Sequence, residues 1–405
     1  MTFSETADPP RVEAGPVAPA KLGYVPALDG LRALAVMAVL CFHNGFPWAR
    51  GGFLGVSLFF TLSGFLITTL ILQEHERHGT IGLRAFYGRR LRRLMPASLL
   101  CLAGVVVFGA TVATVAQQKS LTGDVWAALA NVANWRMIFA GHSYADLFAA
   151  PSPVEHFWSL AIEEQFYWVM PVLMLGLLAL TRGRRVQLGI ALGAMALAST
   201  IWCAVLVNPG DVARVYYGTD TRAAELLIGC LLAVVLAHRP VFAAAARRWI
   251  VFAGVIVSAL TLWVWHGVAS TDVRLFRGGL AVYAVGSCVI IVAAMQPAGF
   301  GRVLGLRPLV ALGMISYGVY LFHWPIFLWL SPARTGLGLW PLFFLRFAVT
   351  LAVAVVSYLT IETAIRRPGA SPAQRMSAVF VGVAAAIAMV WAAVASSAGG
   401  PGVSA

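Results

Sequence analysis

Long apolar stretches separated by short polar connections follow one another along almost the whole chain. A helix that crosses the hydrocarbon core of a bilayer needs about 20 predominantly apolar residues, and the sequence contains eleven stretches of suitable length. Their approximate bounds are 28–48, 52–72, 94–116, 157–180, 188–207, 221–237, 249–265, 277–295, 309–330, 340–361 and 378–396. The pattern therefore predicts an all-α polytopic membrane protein, a bundle of about 10–11 transmembrane helices.

The polar segments divide the chain. Residues 1–22 are Pro-rich and polar and predict a disordered cytoplasmic tail. Residues 23–368 form the predicted membrane domain, of about ten helices, and residues 369–405 an extra C-terminal transmembrane helix with a short tail. The longest connection, 117–155, has helical apolar spacing from 121 to 138, which favours an amphipathic helix on the outer membrane surface. The same segment could instead be a lid over an outward-facing site.

Composition agrees with this architecture. Hydrophobic residues make up 60% of the chain and charged residues only 11%, whereas soluble domains carry about 25% charged residues. The net charge of +13 does not indicate a nucleic-acid partner, because the basic residues are divided unequally between the two sides of the membrane. The N-terminal tail and the connections on its side hold 19 Lys and Arg, whereas the connections on the opposite side, with the helix ends beside them, hold eight. The positive-inside rule then places the N-terminus in the cytoplasm. We attribute the basic excess to topology and to attraction by anionic headgroups.

The first apolar stretch contains two ionisable residues, Arg32 and His43. Eleven helical residues at about 100° each complete about three turns, so both side chains lie on one face, roughly 16 Å apart along the axis. Insertion of a charged residue at a helix centre costs about 2.5–3.5 kcal/mol, so such residues usually face a bundle interior or a wet cavity. This pair is therefore the first candidate for chemistry, although Arg32 could simply mark the cytoplasmic end of the helix together with Asp29.

A second group of polar residues opens the fourth stretch. His156, Ser159 and Glu163 are three and four residues apart and share one helical stripe, and Tyr167 follows one turn later. A carboxylate at this depth must pair, protonate or meet water. The alternative interpretation is a clamp of interhelical hydrogen bonds without a role in chemistry.

Further candidates lie elsewhere in the chain. Four arginines precede the third stretch; guanidinium groups bind phosphates in bidentate fashion, although basic residues beside a span also serve as topology signals. The four arginines are Arg89, Arg90, Arg92 and Arg93. The other polar groups inside apolar stretches are Tyr317, His323 and Arg222, the last with Glu225 three residues later. No cysteine or histidine spacing resembles a metal site.

Several of these segments, in this order, resemble the acyltransferase-3 family of bacterial integral-membrane O-acyltransferases. The matching segments are 26–33 with the Arg32–His43 spacing, 55–67, 90–96, 158–167 and 316–325, and the resemblance spans roughly residues 24–368. It implies transfer of an acyl group, commonly acetyl, from cytoplasmic acyl-CoA as co-substrate to a sugar hydroxyl. Implied acceptors include cell-envelope polysaccharides, peptidoglycan, glycolipids and macrolides. No permanently bound cofactor is implied.

The resemblance also implies roles for particular residues. Arg32 and His43 would be essential, and the Arg-x-x-Arg motif formed by Arg90 and Arg93, with Arg89 beside it, would contact the donor. One departure concerns Ser57, which occupies a position that is often Asp in the family. Relatives with an eleventh span often continue into a soluble esterase-like domain, so we expect that the chain either works alone or uses a separate extracytoplasmic partner that handles the acyl group.

The expected mechanism uses His43 as a general base on the acceptor hydroxyl, a step typically contributing about 10²–10⁴-fold. Transient acylation of His43, relaying the group across the membrane, remains an alternative. Arg32 would serve the donor or pair with Asp29. Glu163 is expected in the catalytic set with these two. Residues expected to bind the acceptor or support the site are His156, Ser159, Tyr167, Arg222, Tyr317 and His323.

The rival class is a multi-pass transporter or flippase, in which the same ionisable residues would line a substrate or proton path. That class predicts inverted repeats and broken helices, neither of which is clear in the sequence. A purely structural membrane protein explains poorly why so many polar groups lie within spans.

Overall fold

The computed structural model describes residues 23–139, 151–236 and 241–363, and in these ranges the chain is helical, without a β-strand. The helices are α1 (Pro26–His43), α2 (Gly55–His78), α3 (Leu83–Thr111), α4 (Val115–Leu129), α5 (Ala133–Phe139), α6 (Phe157–Leu180), α7 (Arg185–Leu206), α8 (Ala213–Tyr217), α9 (Thr219–Leu236), α10 (Ala244–Gly267), α11 (Leu280–Ala294), α12 (Gly299–Leu304), α13 (Arg307–Met314), α14 (Ser316–Trp329), α15 (Pro332–Thr335) and α16 (Leu339–Ser357). A kink with non-helical backbone angles at Arg277 and Gly278 precedes α11, and a short π-helical turn follows α16.

Within the described ranges, eight helical segments are long and apolar enough to cross a membrane, and α13 with α14 makes a ninth if the pair counts as one span. The eight are Pro26–His43, Pro47–His78, Leu83–Thr111, Phe157–Leu180, Arg185–Leu206, Ala244–Gly267, Leu275–Ala294 and Leu339–Ile361. The predicted all-α polytopic architecture is confirmed. The predicted span 378–396 and the predicted tail 1–22 lie outside the described residues.

The predicted span at 221–237 is the helix α9, which is 18 residues long and carries Asp220, Arg222 and Glu225 in its first half. It packs between α2 and α7, and its contact with α2 is very close. A Cβ atom at Gly64 would overlap the backbone of Leu226, and one at Gly229 would overlap the backbone of Thr61. Small residues at such crossings let two helix backbones approach within the membrane. This close packing keeps Arg222 and Glu225 inside the bundle, whereas Asp220 at the start of α9 is partly exposed.

The structure differs from the sequence prediction at 309–330, which was expected to be one straight span. The chain bends by 68° between α13 and α14. Ile315 leaves helical geometry there, with φ −100° and ψ 6°. Gly313, just before the bend, lies against α1 so closely that a Cβ atom would overlap the backbone oxygen of Asp29. Packing against α1 therefore sets the direction of α13, while α14 turns into the centre of the bundle.

A second difference concerns 73–93, expected to be a connecting loop. The helix α2 continues to His78 and ends at Gly79, whose φ of +66° is the left-handed conformation that commonly terminates helices. The next helix, α3, begins at Leu83, so the arginine cluster occupies its first turns. Glu74 joins the two helices by accepting from the backbone N–H of Gly82 at 3.0 Å and from Arg89 at 3.0 Å.

The segment predicted to hold one amphipathic helix contains two, α4 and α5. They are separated at Asn131, which has a positive φ of 56°. Arg136 of α5 donates to Asp124 of α4 at 2.7 Å, and Ser152 donates to the same carboxylate at 2.9 Å. Because residues 140–150 lie outside the described ranges, the choice between a surface helix and a lid stays a prediction.

Candidate active site

A cavity of about 1010 Å³ lies between α1, α2, α3, α6 and the start of α14. Among its lining residues, five arginines face only two carboxylates, Asp29 and Glu163. The predicted site residues that line it are Arg32, Arg89, Arg90, Arg93, Ser159, Glu163, Tyr167 and Tyr317. His43, His156, Arg222 and His323 are absent from this lining. The arrangement is a positively charged chamber inside the bundle, suited to an anionic ligand.

Arg32 projects into the chamber from α1. Its Nε atom is buried and has no hydrogen-bond partner among the described residues. Asp29, one turn earlier, accepts instead from the hydroxyl of Tyr24 at 2.8 Å. The pairing of Arg32 with Asp29, one of the two roles expected for this arginine, is therefore not the arrangement seen in the described part of the chain.

Glu163 lies on the α6 wall of the same chamber. Its carboxylate accepts hydrogen bonds from the hydroxyl groups of Ser63 and Tyr167, the latter at 3.0 Å. The guanidinium of Arg90 lies over the ring of Tyr167, 4.2 Å from its centroid. Glu163, Tyr167 and Arg90 thus form one connected unit, which places the predicted catalytic carboxylate next to the arginines of α3.

Three histidines from distant parts of the chain meet beside the chamber. The Nδ1 atom of His43, at the end of α1, lies 3.0 Å from Nε2 of His323 in α14. The ring of His156, just before α6, lies 5.5 Å from the ring of His323. His156 and His323 are buried, and the ring of Trp324 covers His43 at 4.7 Å. The spacing of residues along the chain held no signal for this meeting.

The hydrogen bonds assign a tautomer to each neutral ring. Nδ1 of His323 faces the carbonyl of Tyr320, which only accepts, so Nδ1 carries the proton and Nε2 is an acceptor. His43 must then donate from Nδ1, which leaves the lone pair of His43 on Nε2. Nε2 of His156 donates to the carbonyl of Leu321 at 2.7 Å. The packing thus leaves the lone pair of His43 on Nε2, the nitrogen that does not face His323.

Tyr320 and Ser159 lie between the chamber and the histidines. Both line the cavity, and their hydroxyl groups are hydrogen-bonded at 2.6 Å. The Tyr320 hydroxyl also donates to the backbone oxygen of His156 at 3.2 Å, and its ring lies 5.4 Å from that of His323. Tyr320 and Ser63 were not singled out from the sequence. The position of Tyr320 one turn before His323 was a signal that could have identified it.

Arg222 is buried away from the chamber lining, in α9. It forms an ion pair with Glu225 at 2.6 Å, as the spacing of three residues allows, and donates to the carbonyl of Tyr216 at 3.0 Å and to Ser57 at 3.1 Å. The arginine is 2% exposed. Ser57 therefore supplies a hydroxyl to a guanidinium whose charge Glu225 already balances. This arrangement explains how the chain accommodates Ser57 where the family often has Asp.

Glu155 is a further residue that sequence reasoning passed over. It precedes α6, next to His156, and burial raises the pKa of its carboxyl to about 8. Nδ1 of His156 is buried and has no hydrogen-bond partner among the described residues.

Across the described residues, no group of three or more His, Cys, Asp or Glu side chains has the geometry to hold a metal ion.

A helical membrane bundle with a positively charged chamber beside a hydrogen-bonded histidine pair is an arrangement suited to group transfer within a membrane. The chain is a member of the acyltransferase family: the family described as an acyltransferase domain matches residues 25–361. This match confirms the resemblance drawn from the motifs.

Curated proteins of similar sequence agree with this family membership. Over 353 residues the chain is 40% identical to the peptidoglycan O-acetyltransferase OatA of Listeria monocytogenes, covering 85% of this chain and 56% of the relative. It is 37% identical to the putative peptidoglycan O-acetyltransferase YrhL of Bacillus subtilis, covering 85% and 55%, and 34% identical to the O-acetyltransferase OatA of Staphylococcus aureus, covering 85% and 58%. The chain thus spans a little over half the length of these relatives. No solved structure matches it.

Proposed function

We propose that the protein is a membrane O-acyltransferase that moves an acyl group from cytoplasmic acyl-CoA to a hydroxyl of a sugar-containing acceptor in the cell envelope. The observation that carries this proposal is the arginine-lined chamber, whose lining residue Tyr320 packs against His323, the hydrogen-bond partner of His43. The names of the relatives support acetyl as the transferred group and peptidoglycan as the acceptor. Other cell-envelope polysaccharides, glycolipids and macrolides remain within the proposed acceptor class.

The donor would enter from the side of the membrane where α3 begins. Arg89, Arg90 and Arg93 line the chamber there, and guanidinium groups suit the phosphates of coenzyme A because they stay charged and bind in bidentate fashion. By the positive-inside rule, this side is the cytoplasm of the bacterial cell, where acyl-CoA is made, and the protein lies in the inner membrane.

Acyl transfer would follow from the tautomer of His43. Its Nε2 takes the proton of the acceptor hydroxyl, and the hydroxyl oxygen attacks the thioester carbonyl. The carbon–sulfur bond breaks, and the proton passes from His43 to the departing thiolate, which leaves as free coenzyme A. In the alternative sequence, the same Nε2 lone pair attacks the thioester carbonyl first, and the carbon–sulfur bond breaks to release coenzyme A as the thiolate. The acceptor hydroxyl then attacks the acyl-histidine, the carbon–nitrogen bond breaks to restore His43, and the hydroxyl proton passes to the thiolate. Both need the lone pair on Nε2.

One observation favours a second candidate, a transporter or flippase. The span formed by α13 and α14 is broken by 68°, and broken helices are typical of transporters. The described helices show no other pair bent in this way. A transporter would use the same histidines in a proton path, so it is the match to the acyltransferase family, not the histidine pair, that ranks the transporter second.

The test is release of free thiol from acetyl-CoA by the protein in lipid nanodiscs, with a cell-envelope carbohydrate extract as acceptor. Wild type is compared with His43→Ala and with His266→Ala, an exposed histidine of α10 outside the site. We expect extract-dependent release in wild type and His266→Ala and loss of release in His43→Ala. Absence of both thiol release and acyl-CoA binding, across a panel of acyl chains, would favour the transporter. Acyl transfer that needs a separately added extracytoplasmic protein would reveal the expected partner.

A further inference from the structure

The bend between α13 and α14 points the start of a buried helix into the chamber. The first N–H groups of an α-helix have no partner within the helix and carry the positive end of its dipole. Ile315, the residue before α14, has no polar side chain to cap them. A helix start of this kind within a membrane protein is suited to an anionic group of a substrate.

Two unpartnered side chains point independently to a ligand at the same place. Ser316, the first residue of α14, is 0% exposed, and its hydroxyl has no hydrogen-bond partner among the described residues. Nε of Arg32 is likewise buried and without a partner. Both residues line the chamber. Since buried polar groups are almost always hydrogen-bonded, two such groups facing one cavity indicate that something else satisfies them.

Helix packing brings these groups together. Gly313 lies against the backbone of Asp29, one helical turn before Arg32 in α1. On the opposite side, the Tyr317 hydroxyl bonds Ser98 at 2.7 Å and donates to the carbonyl of Leu94 at 3.3 Å, both in α3. The start of α14 is therefore fixed between the arginine of α1 and the arginine-bearing helix α3.

We propose that this bend is a diphosphate-binding subsite formed by the first N–H groups of α14, the Ser316 hydroxyl and the Arg32 guanidinium. The proposal rests on the proposed function, because the diphosphate is that of the acyl-CoA donor. The arginines of α3 then hold the remaining phosphate of the donor, on the ribose.

The length of the donor agrees with this placement. Its arm between diphosphate and sulfur has about twelve bonds, as many as four extended residues, and so reaches about 14 Å. Arg32 and His43 are separated by roughly 16 Å along α1. The arm is therefore long enough to bring the thioester towards the end of α1 that carries His43, on the side of the chamber lined by Tyr320.

The experiment measures the affinity of nanodisc-embedded protein for acetyl-CoA, acetyl-dephospho-CoA and acetylpantetheine, which lacks the diphosphate. We expect Ser316→Ala to bind acetyl-CoA about fivefold more weakly and Ser316→Asp at least about thirtyfold more weakly, since the carboxylate repels the diphosphate. Affinity for acetylpantetheine should stay unchanged in both. The control is Ser357→Ala, which removes another buried hydroxyl without a partner, one outside the chamber lining.

Ratios of affinities make the result independent of the fraction of folded protein. In Ser316→Ala the ratio for acetyl-CoA over acetyl-dephospho-CoA should equal that of wild type, whereas Arg93→Gln should lower it. Wild-type binding of acetyl-CoA by Ser316→Asp, or equal losses for acetyl-CoA and acetylpantetheine, would overturn the subsite while leaving the proposed function intact. Failure of the wild type to bind any acyl-CoA would overturn the proposed function itself.

Membrane phospholipid is the other source of the same phosphate chemistry. Measurements in nanodiscs of neutral lipid and of lipid containing phosphatidic acid separate the two. Equal acetyl-CoA affinities in both support the donor. The assignment to the donor would be overturned if the protein retained phosphatidic acid in a way that depends on Ser316 while Ser316→Asp left the affinity for acetyl-CoA unchanged.

Discussion

Replacing His323 by asparagine should slow acyl transfer, because it removes the acceptor that holds the Nδ1 proton of His43. That bond is 3.0 Å long, and His323 is 0% exposed. The asparagine amide occupies the place of the imidazole Nδ1 and can still donate to the carbonyl of Tyr320, but nothing occupies the place of Nε2. The Nδ1 proton of His43 is then buried without an acceptor, and the tautomer with the proton on Nε2 competes.

The cost of a buried donor without a partner sets the expected magnitude. It is about 1–3 kcal/mol, which corresponds to a rate loss of about 5- to 150-fold. This lies below the about 10²–10⁴-fold contribution of a complete general base, as expected for a residue that positions the base rather than replacing it. The affinity for acetyl-CoA should change by less than about threefold, since His323 does not line the chamber.

The matched variant is His323→Gln, whose amide oxygen lies near the place of Nε2 and can accept from His43. Thiol release from acetyl-CoA at saturating donor, in nanodiscs with a carbohydrate acceptor, compares the two. We expect His323→Gln to keep at least about a fifth of wild-type activity. His323→Asn should fall further and, because it leaves a buried donor unpaired, should also melt at a lower temperature than His323→Gln. Equal activities of the two variants would refute the reasoning about tautomers.

Three further outcomes follow from other contacts. Arg90→Lys keeps the charge but loses the planar group over Tyr167, so acetyl-CoA should bind about tenfold more weakly in a titration; unchanged affinity would remove Arg90 from the donor site. Glu225→Gln leaves the buried Arg222 without its counter-charge and should destabilise the protein by about 3–5 kcal/mol in a denaturant titration, whereas a loss below about 1 kcal/mol would contradict a fully buried pair. The carboxyl of Glu155 has a pKa of about 8 in the folded state, where burial favours the protonated form, and the ordinary pKa of 4.5 in the unfolded state. Stability should therefore fall as the pH rises between these values, by at most about 1.4 kcal/mol per pH unit, and Glu155→Gln should abolish that fall in thermal melts.

The difference between what sequence and structure reveal is visible in the arginines and glutamate of the chamber. Arg32, Arg90 and Glu163 were identified from their types and positions, because ionisable groups within apolar stretches are costly and so stand out. Their assembly into one chamber depended on α3 beginning at Leu83, within a segment that looked like a loop. Arg222 was identified equally well, yet the structure places it in a closed ion pair away from the chamber.

The sequence by itself determined the class of the protein, the positions of the eight long apolar helices found in the described residues and the pairs within single helices, such as Arg222 with Glu225. These properties depend on local hydrophobicity and on a helical period that repeats every few residues. Only the tertiary structure decided that His43 meets His323, which is 280 residues away, and that the span at 309–330 bends at Ile315. Both depend on how helices far apart in the chain pack against one another, and no local period along the sequence records that packing.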